Sequence, residues 1–456
     1  MEHRGRHDRL SSHRRRHPRR RRLKGSTPMS ETVVDVLGIG FGPGGIALAA
    51  ALAEEAPELS CRFLEARAEP AWQPGMLLSG SDTQHHPSRD LATLRNPRSR
   101  YTFLNYLHET GRLLDFLNVP TQFPLRKDYA RYVRWVAEQL SAVVAYNSRV
   151  SAIETDGEHY LVTTTGGQTH RGRSLVYGTG RTPHIPEVFA PHLGPQVCHS
   201  NDYQWRITEA RTRLGRPLTV AVIGASQSAA EIALDLHSGS QDRVLAVMRS
   251  FGYRQKDHSP FSEQAYFPEF TDYYFHAGKT GKARLDQQLR PSNYSTVDLD
   301  VLEALYVRRY EDSIDGQTRL ELHGNNEITA VSRDDSGVRL SLHEVNTGAD
   351  TVLSADLVVL GTGFRDLGPA EHQERHPALL APIAPALATD EDGVLLVQRD
   401  YRVPGEVPPL FLNGLCEHSH GLGDAGSFSL LSLRARTLLE GIRQAVADRV
   451  PATTAW

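Results

Sequence analysis

Residues 33–45, VVDVLGIGFGPGG, decide the fold. A run of apolar, mostly β-branched residues leads straight into glycines, and an alanine-rich segment, 46–52, follows. Strand, tight turn and helix in that order make a cradle for a dinucleotide pyrophosphate, whose charge sits at the helix N-terminus. In this reading Gly38 allows the turn, Gly40 lets the backbone approach phosphate, and Pro43 fills the third fingerprint place. A second apolar run, 59–64, leads into Glu65, the acid placed to bond a ribose hydroxyl. The alternative is an ordinary glycine-rich βα turn. The accompanying strand, helix and acid favour the nucleotide.

Composition narrows the class. The chain has 456 residues, enough for two or three domains, with 39% hydrophobic and 23% charged residues, as in soluble globular proteins. No apolar run approaches the ~20 residues of a membrane helix. Cys61, Cys198 and Cys416 lie far apart with no CxxC, which fits a reducing, cytoplasmic setting without a thiol redox centre. The formal charge of −3 hides an asymmetry: residues 1–28 carry ten arginines and Lys24 against Glu2 and Asp8, so the rest is acidic. This head suggests a nucleic-acid or anionic-membrane arm, or superficially a twin-arginine export signal, but no apolar stretch follows it. The plainer expectation is a disordered extension with Met29 as the working start, no nucleic-acid partner and no membrane.

The opening logic recurs. Residues 218–238, LTVAVIGASQSAAEIALDLHS, again read as strand, turn and alanine-rich helix. Serine stands where a middle glycine is usual, and Gly224, Ser226, Gln227 and Ser228 are the candidate contacts. The next strand is followed by Arg249, suited to a 2′-phosphate and so to NADPH over NADH, or simply a solvated arginine at a strand end. Two buried strands end in GTG, at 178–180 and 361–363, as expected if each nucleotide unit returns its chain the same way. Between the first glycine loop and the first GTG ending the pattern predicts an irregular packed stretch over 66–100, helices over 101–109 and 127–141, and a small antiparallel layer over 149–165. Short strands are expected over 319–355, and a strand, loop and helix over 410–442. Two nucleotide sites with no thiol pair and no metal cluster point to flavin plus nicotinamide.

Longer motifs then become specific. The run WQPGMLLSGSDTQHHPSRDLATLRNPRSRYTFLNYLHETGRLLDF, with DHSPFSEQAYFPEFTDYYF, NYSTVD and EHSHGLGDAGSFSLLS, resembles the flavin-dependent N-hydroxylating monooxygenases, the ornithine and lysine N-monooxygenases of siderophore and hydroxamate biosynthesis. The resemblance is colinear over nearly the whole chain after Met29. It implies an α/β fold of two Rossmann-type domains, the NADPH domain inserted in the FAD domain, with a small helical substrate-binding region. The corresponding ranges are 1–28 for the extension, 29–210 and 356–456 for the FAD domain, and 211–355 for the NADPH domain with its substrate segment at 251–311. The implied chemistry uses FAD, NADPH and O2: reduced flavin forms a C4a-hydroperoxide, and a neutral side-chain amine takes its distal oxygen. No protein acid or base is assigned as catalytic. A homodimer or homotetramer is implied.

Carried over residue by residue, the resemblance puts Gly38, Gly40, Pro43, Glu65, Trp72, Gln73, Met76, Gln84, Val150, Ser429, Leu430 and Leu431 at FAD. It puts Asn293 at both substrate and NADPH, and Ser432 at substrate. Plainer alternatives are core roles for Trp72, Met76 and the tail leucines, and a helix cap near Val297 for Asn293. The departures carry the interest. The family's carboxylate-pairing lysine is Arg89 here, and an asparagine two residues after the SPF phenylalanine is Glu263. A carboxylate there attracts an amine and repels a carboxylate, which hints at a diamine such as putrescine or cadaverine. Alternatively Arg89 and Glu263 pair and leave specificity open. His85 and His86 replace apolar or small residues, Gln73 a histidine and Gly45 an asparagine. A Baeyer–Villiger or heteroatom monooxygenase is the rival, but its FxGxxxHxxxW/Y signature is matched only out of step around His192, Gly194, His199 and Tyr203.

Overall fold

The strand Val33–Ile39 sits inside the first sheet because it is apolar on both faces, as a parallel strand covered by helices must be. The computed structural model describes residues 32–424 and 426–448, so the arginine-rich head lies outside the described residues. Around that strand the first sheet runs Arg402–Val403, Leu410–Leu412, Thr169–Tyr177, Val33–Ile39, Cys61–Leu64, Val144–Ala145. All neighbours are parallel except the first pair. Val150–Thr155 and Tyr160–Thr164 form an antiparallel flap on Thr169–Tyr177. The helix Pro43–Glu55 has proline at its first turn, where no N–H is needed. It is buried nearly all round from Gly45 to Leu52, because the tail helix Leu431–Ala447 and the helix Arg126–Gln139 cover it. Ile46, Leu48 and Leu52 are each at most 1% exposed, about 1.5–3 kcal/mol of burial apiece.

The second sheet is inserted in sequence between the strands of the first. Its order is Leu320–His323, Arg243–Val247, Thr219–Ile223, Leu357–Leu360, Val197–His199, all parallel. It therefore draws strands from outside 211–355 at both ends, because Leu357–Leu360 pairs with Thr219–Ile223 as Thr169–Tyr177 pairs with Val33–Ile39. The alternating segments Asn326–Asp334, Gly337–Glu344 and Asp350–Ala355 form a separate antiparallel sheet. Two segments cross between the main sheets. They are pinned by the Pro183–Phe364 bridge and by Arg181, 2.9 Å from Asp366. Among the described residues no helix is long and apolar enough to cross a membrane, and no His, Cys, Asp and Glu group could hold a metal.

The two glycine loops are built alike, and this corrects the fingerprint register. Gly38 lies inside the strand, packed against the Phe63 ring, and does not make the turn. Gly40 makes it: its φ is +89°, its N–H donates to Leu64 O at 2.8 Å, and an added Cβ would lie 2.4 Å from Gly178 O. Gly42 is the helix N-cap, Pro43 only the first helical residue, and Gly45 is the close-packing glycine against Gly40 O. The fingerprint is thus Gly40, Gly42 and Gly45, two residues later than the spacing from Gly38 suggests. In the second unit Gly224 has the place of Gly40: its φ is +139° and an added Cβ would lie 2.4 Å from Gly361 O. Ser226 is the N-cap there.

Candidate active site

The first loop ends beside its acid. Glu65 directly follows Cys61–Leu64 and accepts hydrogen bonds from the N–H groups of Phe41 and Arg67 at 2.8 and 2.9 Å. A carboxylate has about four acceptor positions, so ribose hydroxyls can still be bound. Val150 opens the flap strand, half-buried against the first core. At the second loop Ser228 lies one residue into the helix Gln227–Gly239. Gln227 uses its side-chain amide within the fold, accepting from Asp298 N at 2.8 Å and donating to Glu231 at 3.1 Å. Arg249 is exposed just past the strand Arg243–Val247.

The irregular stretch 66–100 packs, as its apolar content requires. Trp72 meets Tyr129 and Phe428 edge-on at 5.7 and 5.1 Å. His85 joins the same group, 5.0 Å from Tyr129 and 5.2 Å from Phe428. Burial pushes the His85 ring down to about 4, so it is neutral. His86 is exposed. Gln73 is an exposed residue with φ +42°, and Met76 is buried in the core of the second sheet. Gln84, with φ +58°, has a buried amide nitrogen without a protein partner, as does the hydroxyl of Ser432. Orphaned buried donors of this kind fit a polar cofactor edge or substrate. Leu430 and Leu431 are buried. Asn293 is half-buried and caps nothing downstream, because the helix Leu299–Ile314 takes Asp298 as its N-cap.

A chain of charges joins these parts. Arg89 Nη1 lies 3.2 Å from Glu263 Oε2 and donates to Ser429 Oγ at 3.1 Å. The pairing alternative is therefore the geometry observed. His258 Nδ1 is 3.5 Å from Glu263 Oε1, and its Nε2 is 2.7 Å from Asp298 Oδ1. Lys256 Nζ lies 3.8 Å from Asp298 and donates to Gln84 Oε1 at 3.3 Å. Hydrogen bonds to Asp298 and Glu263 raise His258 to about 9. Burial would raise Glu263, but His258 and Arg89 outweigh it and hold the carboxyl below its ordinary value. Arg89, Ser88, His86, Tyr266 and Ser429 line a cleft of about 400 Å³, within the small-ligand range.

Lys256, His258 and Asp298 were not legible as site residues. His258 and Asp298 stand inside quoted motifs and Lys256 just before one, but their partners are up to 172 residues away and no spacing signals the contact. The same holds for Arg126, whose two guanidinium nitrogens lie 2.9 and 3.0 Å from the Glu231 carboxylate.

A model of the L-lysine 6-monooxygenase/L-ornithine 5-monooxygenase family matches residues 32–366. The chain is 37% identical to an L-ornithine N(5)-monooxygenase of Burkholderia cepacia over 86% of this chain and 90% of the relative. An ornithine N-hydroxylase of Kutzneria sp. 744, solved with reduced FAD, NADP+ and L-ornithine, has a TM-score of 0.82 at 34% identity, covering 91% of this chain and 99% of that one. An L-lysine 6-monooxygenase of Pseudomonas syringae has a TM-score of 0.79 at 34% identity, covering 91% and 100%. Both glycine loops and the Arg89 cleft residues before position 366 fall inside the matched span, and the chain belongs to the L-lysine 6-monooxygenase/L-ornithine 5-monooxygenase family.

Proposed function

We propose that the chain is an FAD- and NADPH-dependent monooxygenase that hydroxylates the terminal primary amine of L-ornithine or L-lysine for hydroxamate or siderophore synthesis. One observation carries the reading. The second nucleotide loop connects to the cleft without a break, from Gln227 through Asp298, His258, Glu263 and Arg89 to Ser429. The balance is amine, O2, NADPH and a proton giving hydroxylamine, NADP+ and water. Bound FAD and NADPH supply the electrons and the activation of O2.

The residues do the rest. The Gly40 and Gly224 turns bring backbone N–H groups to the two pyrophosphates. Glu65 takes an adenosine ribose, and exposed Arg249 takes the 2′-phosphate. The orphaned Gln84 amide suits the polar edge of the flavin ring. Trp72, Tyr129, Phe428 and neutral His85 keep that region dry. An alkylamine has a pKa near ~10.4 in water, and only its neutral form is nucleophilic. Tyr266, Phe267 and Leu430 line the cleft, and the desolvation they impose favours the neutral form. The Arg89–Glu263 pair removes the main argument for a diamine, because the Glu263 charge is already balanced by two cations. The test is hydroxylamine formation with L-ornithine, L-lysine, putrescine and cadaverine. Amino-acid hydroxylamine supports the proposal; turnover of a ketone or sulfide with no hydroxylamine from any amine refutes it.

A further inference from the structure

The second glycine loop lies between two strand ends, and an arginine follows each of them. The Gly224 N–H donates to Val247 O at 3.0 Å on one side, and an added Cβ would lie 2.4 Å from Gly361 O on the other. Arg249 comes shortly after Val247, and Arg365 shortly after Gly361. Among the described residues neither guanidinium has an ion-pair or hydrogen-bond partner, although Arg365 is half-buried. The first unit differs: after its GTG ending Arg181 is committed, 2.9 Å from Asp366 and donating to Tyr294 Oη at 3.1 Å. Arg365 is held in place by its backbone. Its N–H donates to Thr182 O at 2.7 Å, and the N–H of neighbouring His184 donates to Gly363 O at 2.9 Å. His184 keeps a buried Nδ1 without a protein partner. Burial, then Arg365, His372 and Arg249, hold the His184 ring below its ordinary value, so the charges acting on it are all those of cationic groups. Like charges gathered on fixed turns repel one another until an anion joins them. The helix end beside them is open to one: Ser226, the N-cap of Gln227–Gly239, makes no side-chain cap bond, and no acid stands in the first turn.

Resting on the NADPH-dependent reading, we infer that Arg365 binds the diphosphate of the nicotinamide cofactor over the Gly224 loop, with His184 beside it as a further donor. The sheet order puts Thr219–Ile223 between Arg243–Val247 and Leu357–Leu360, so Arg249 and Arg365 approach the loop from opposite sides. The division of labour follows. Arg249 reads the 2′-phosphate, which only NADPH has, and Arg365 takes the diphosphate, which NADPH and NADH share. The planar guanidinium fork suits a phosphate, and a bond between two charged groups is among the strong ones.

The experiment titrates the FAD-loaded enzyme with NADP+ and with NAD+ by calorimetry, which needs no turnover, while bound-flavin absorbance reports folding. Arg365→Met should raise Kd by about tenfold or more for both nucleotides, by a like factor, and so leave the preference between them unchanged. Arg249→Met should raise Kd for NADP+ alone and so erase the preference. Arg365→Lys, which keeps the charge, should recover part of the affinity, and Arg365→Gln is a second neutral variant that should behave as Arg365→Met does. Neutral Arg365 variants that hold flavin and bind both nucleotides as tightly as wild type overturn the inference alone. A loss confined to NADP+ overturns it too, because Arg365 would then belong to the 2′-phosphate. A wild-type enzyme that binds neither nucleotide overturns the NADPH reading and this inference with it.

Discussion

Replacing Gly40 and Gly42 by alanine, one at a time, separates what the first loop does for the fold from what it does for the nucleotide. At Gly40 the φ of +89° costs an L-residue about 1–2 kcal/mol. The new Cβ also lies 2.4 Å from Gly178 O, where ordinary contact begins at 3.4 Å, so the loop must open by about 1 Å. Gly40→Ala should therefore destabilise the apoprotein by about 3 kcal/mol or more. Gly42 differs: its φ is −75° and nothing lies within 4 Å of an added Cβ. The change costs the apoprotein only about 0.5–1 kcal/mol, as a poorer N-cap. On the proposed reading a pyrophosphate approaches the helix N-terminus through that open space, so the methyl would displace phosphate from its N–H donors. Losing one such charge-assisted bond costs about 1.5–3 kcal/mol, or roughly 10- to 100-fold in FAD affinity. Denaturant unfolding of the two apoproteins gives the first quantity, and FAD titration followed by flavin fluorescence gives the second. The reasoning fails if Gly42→Ala binds FAD as tightly as wild type, or if the Gly40→Ala apoprotein is as stable as wild type.

Other expectations follow from single contacts. Arg126→Met strands Glu231 in a buried place and should cost about 3–5 kcal/mol by denaturant unfolding, while replacing both residues with methionine should recover most of it; a single-variant loss under about 1 kcal/mol would contradict this. His258 rises from 6.5 to about 9 on folding, so its stabilising contribution is complete below 6.5 and disappears as pH climbs through about 9. Thermal melts of wild type and His258→Gln should converge over that window, and a constant gap would show that His258 is not charged there. Glu417, raised by burial and by Asp366 to about 8, accepts a hydrogen bond from Tyr294 at 2.5 Å. A folded pKa above the ordinary 4.5 means that stability is lost as pH rises from there through about 8. Glu417→Gln should therefore gain on wild type across that range, and parallel pH–melting curves would count against it.

Much of the architecture was legible because it rests on local patterns. The apolar strands, the two alanine-rich helices and the paired GTG endings reappear with ends moved by a few residues. The fingerprint register was missed because three glycine pairs compete over residues 38–45, and only the strand end at Ile39 decides between them. Arg89 and Glu263 stood out as departures from a family pattern, and their pairing was one of two open alternatives. Their setting was not legible. Lys256, His258 and Asp298 act through contacts made by folding, and charged residues carry no periodicity that reports a distant partner. Met76 shows the converse: a residue in a strongly patterned motif whose side chain lies in the core of the second sheet.

On the proposed reading, NADPH oxidation is coupled to transfer of one oxygen atom of O2 to an amino-acid side-chain amine, the other atom leaving as water. Coupling tests it most directly: hydroxylamine formed per NADPH consumed by the FAD-loaded enzyme under O2, with L-ornithine or L-lysine and without either. One of the two amino acids should raise the ratio close to one (on the order of unity by the balance of the reaction), and peroxide should fall in step. A ratio near zero with both amino acids, with all NADPH electrons recovered as hydrogen peroxide, would contradict it.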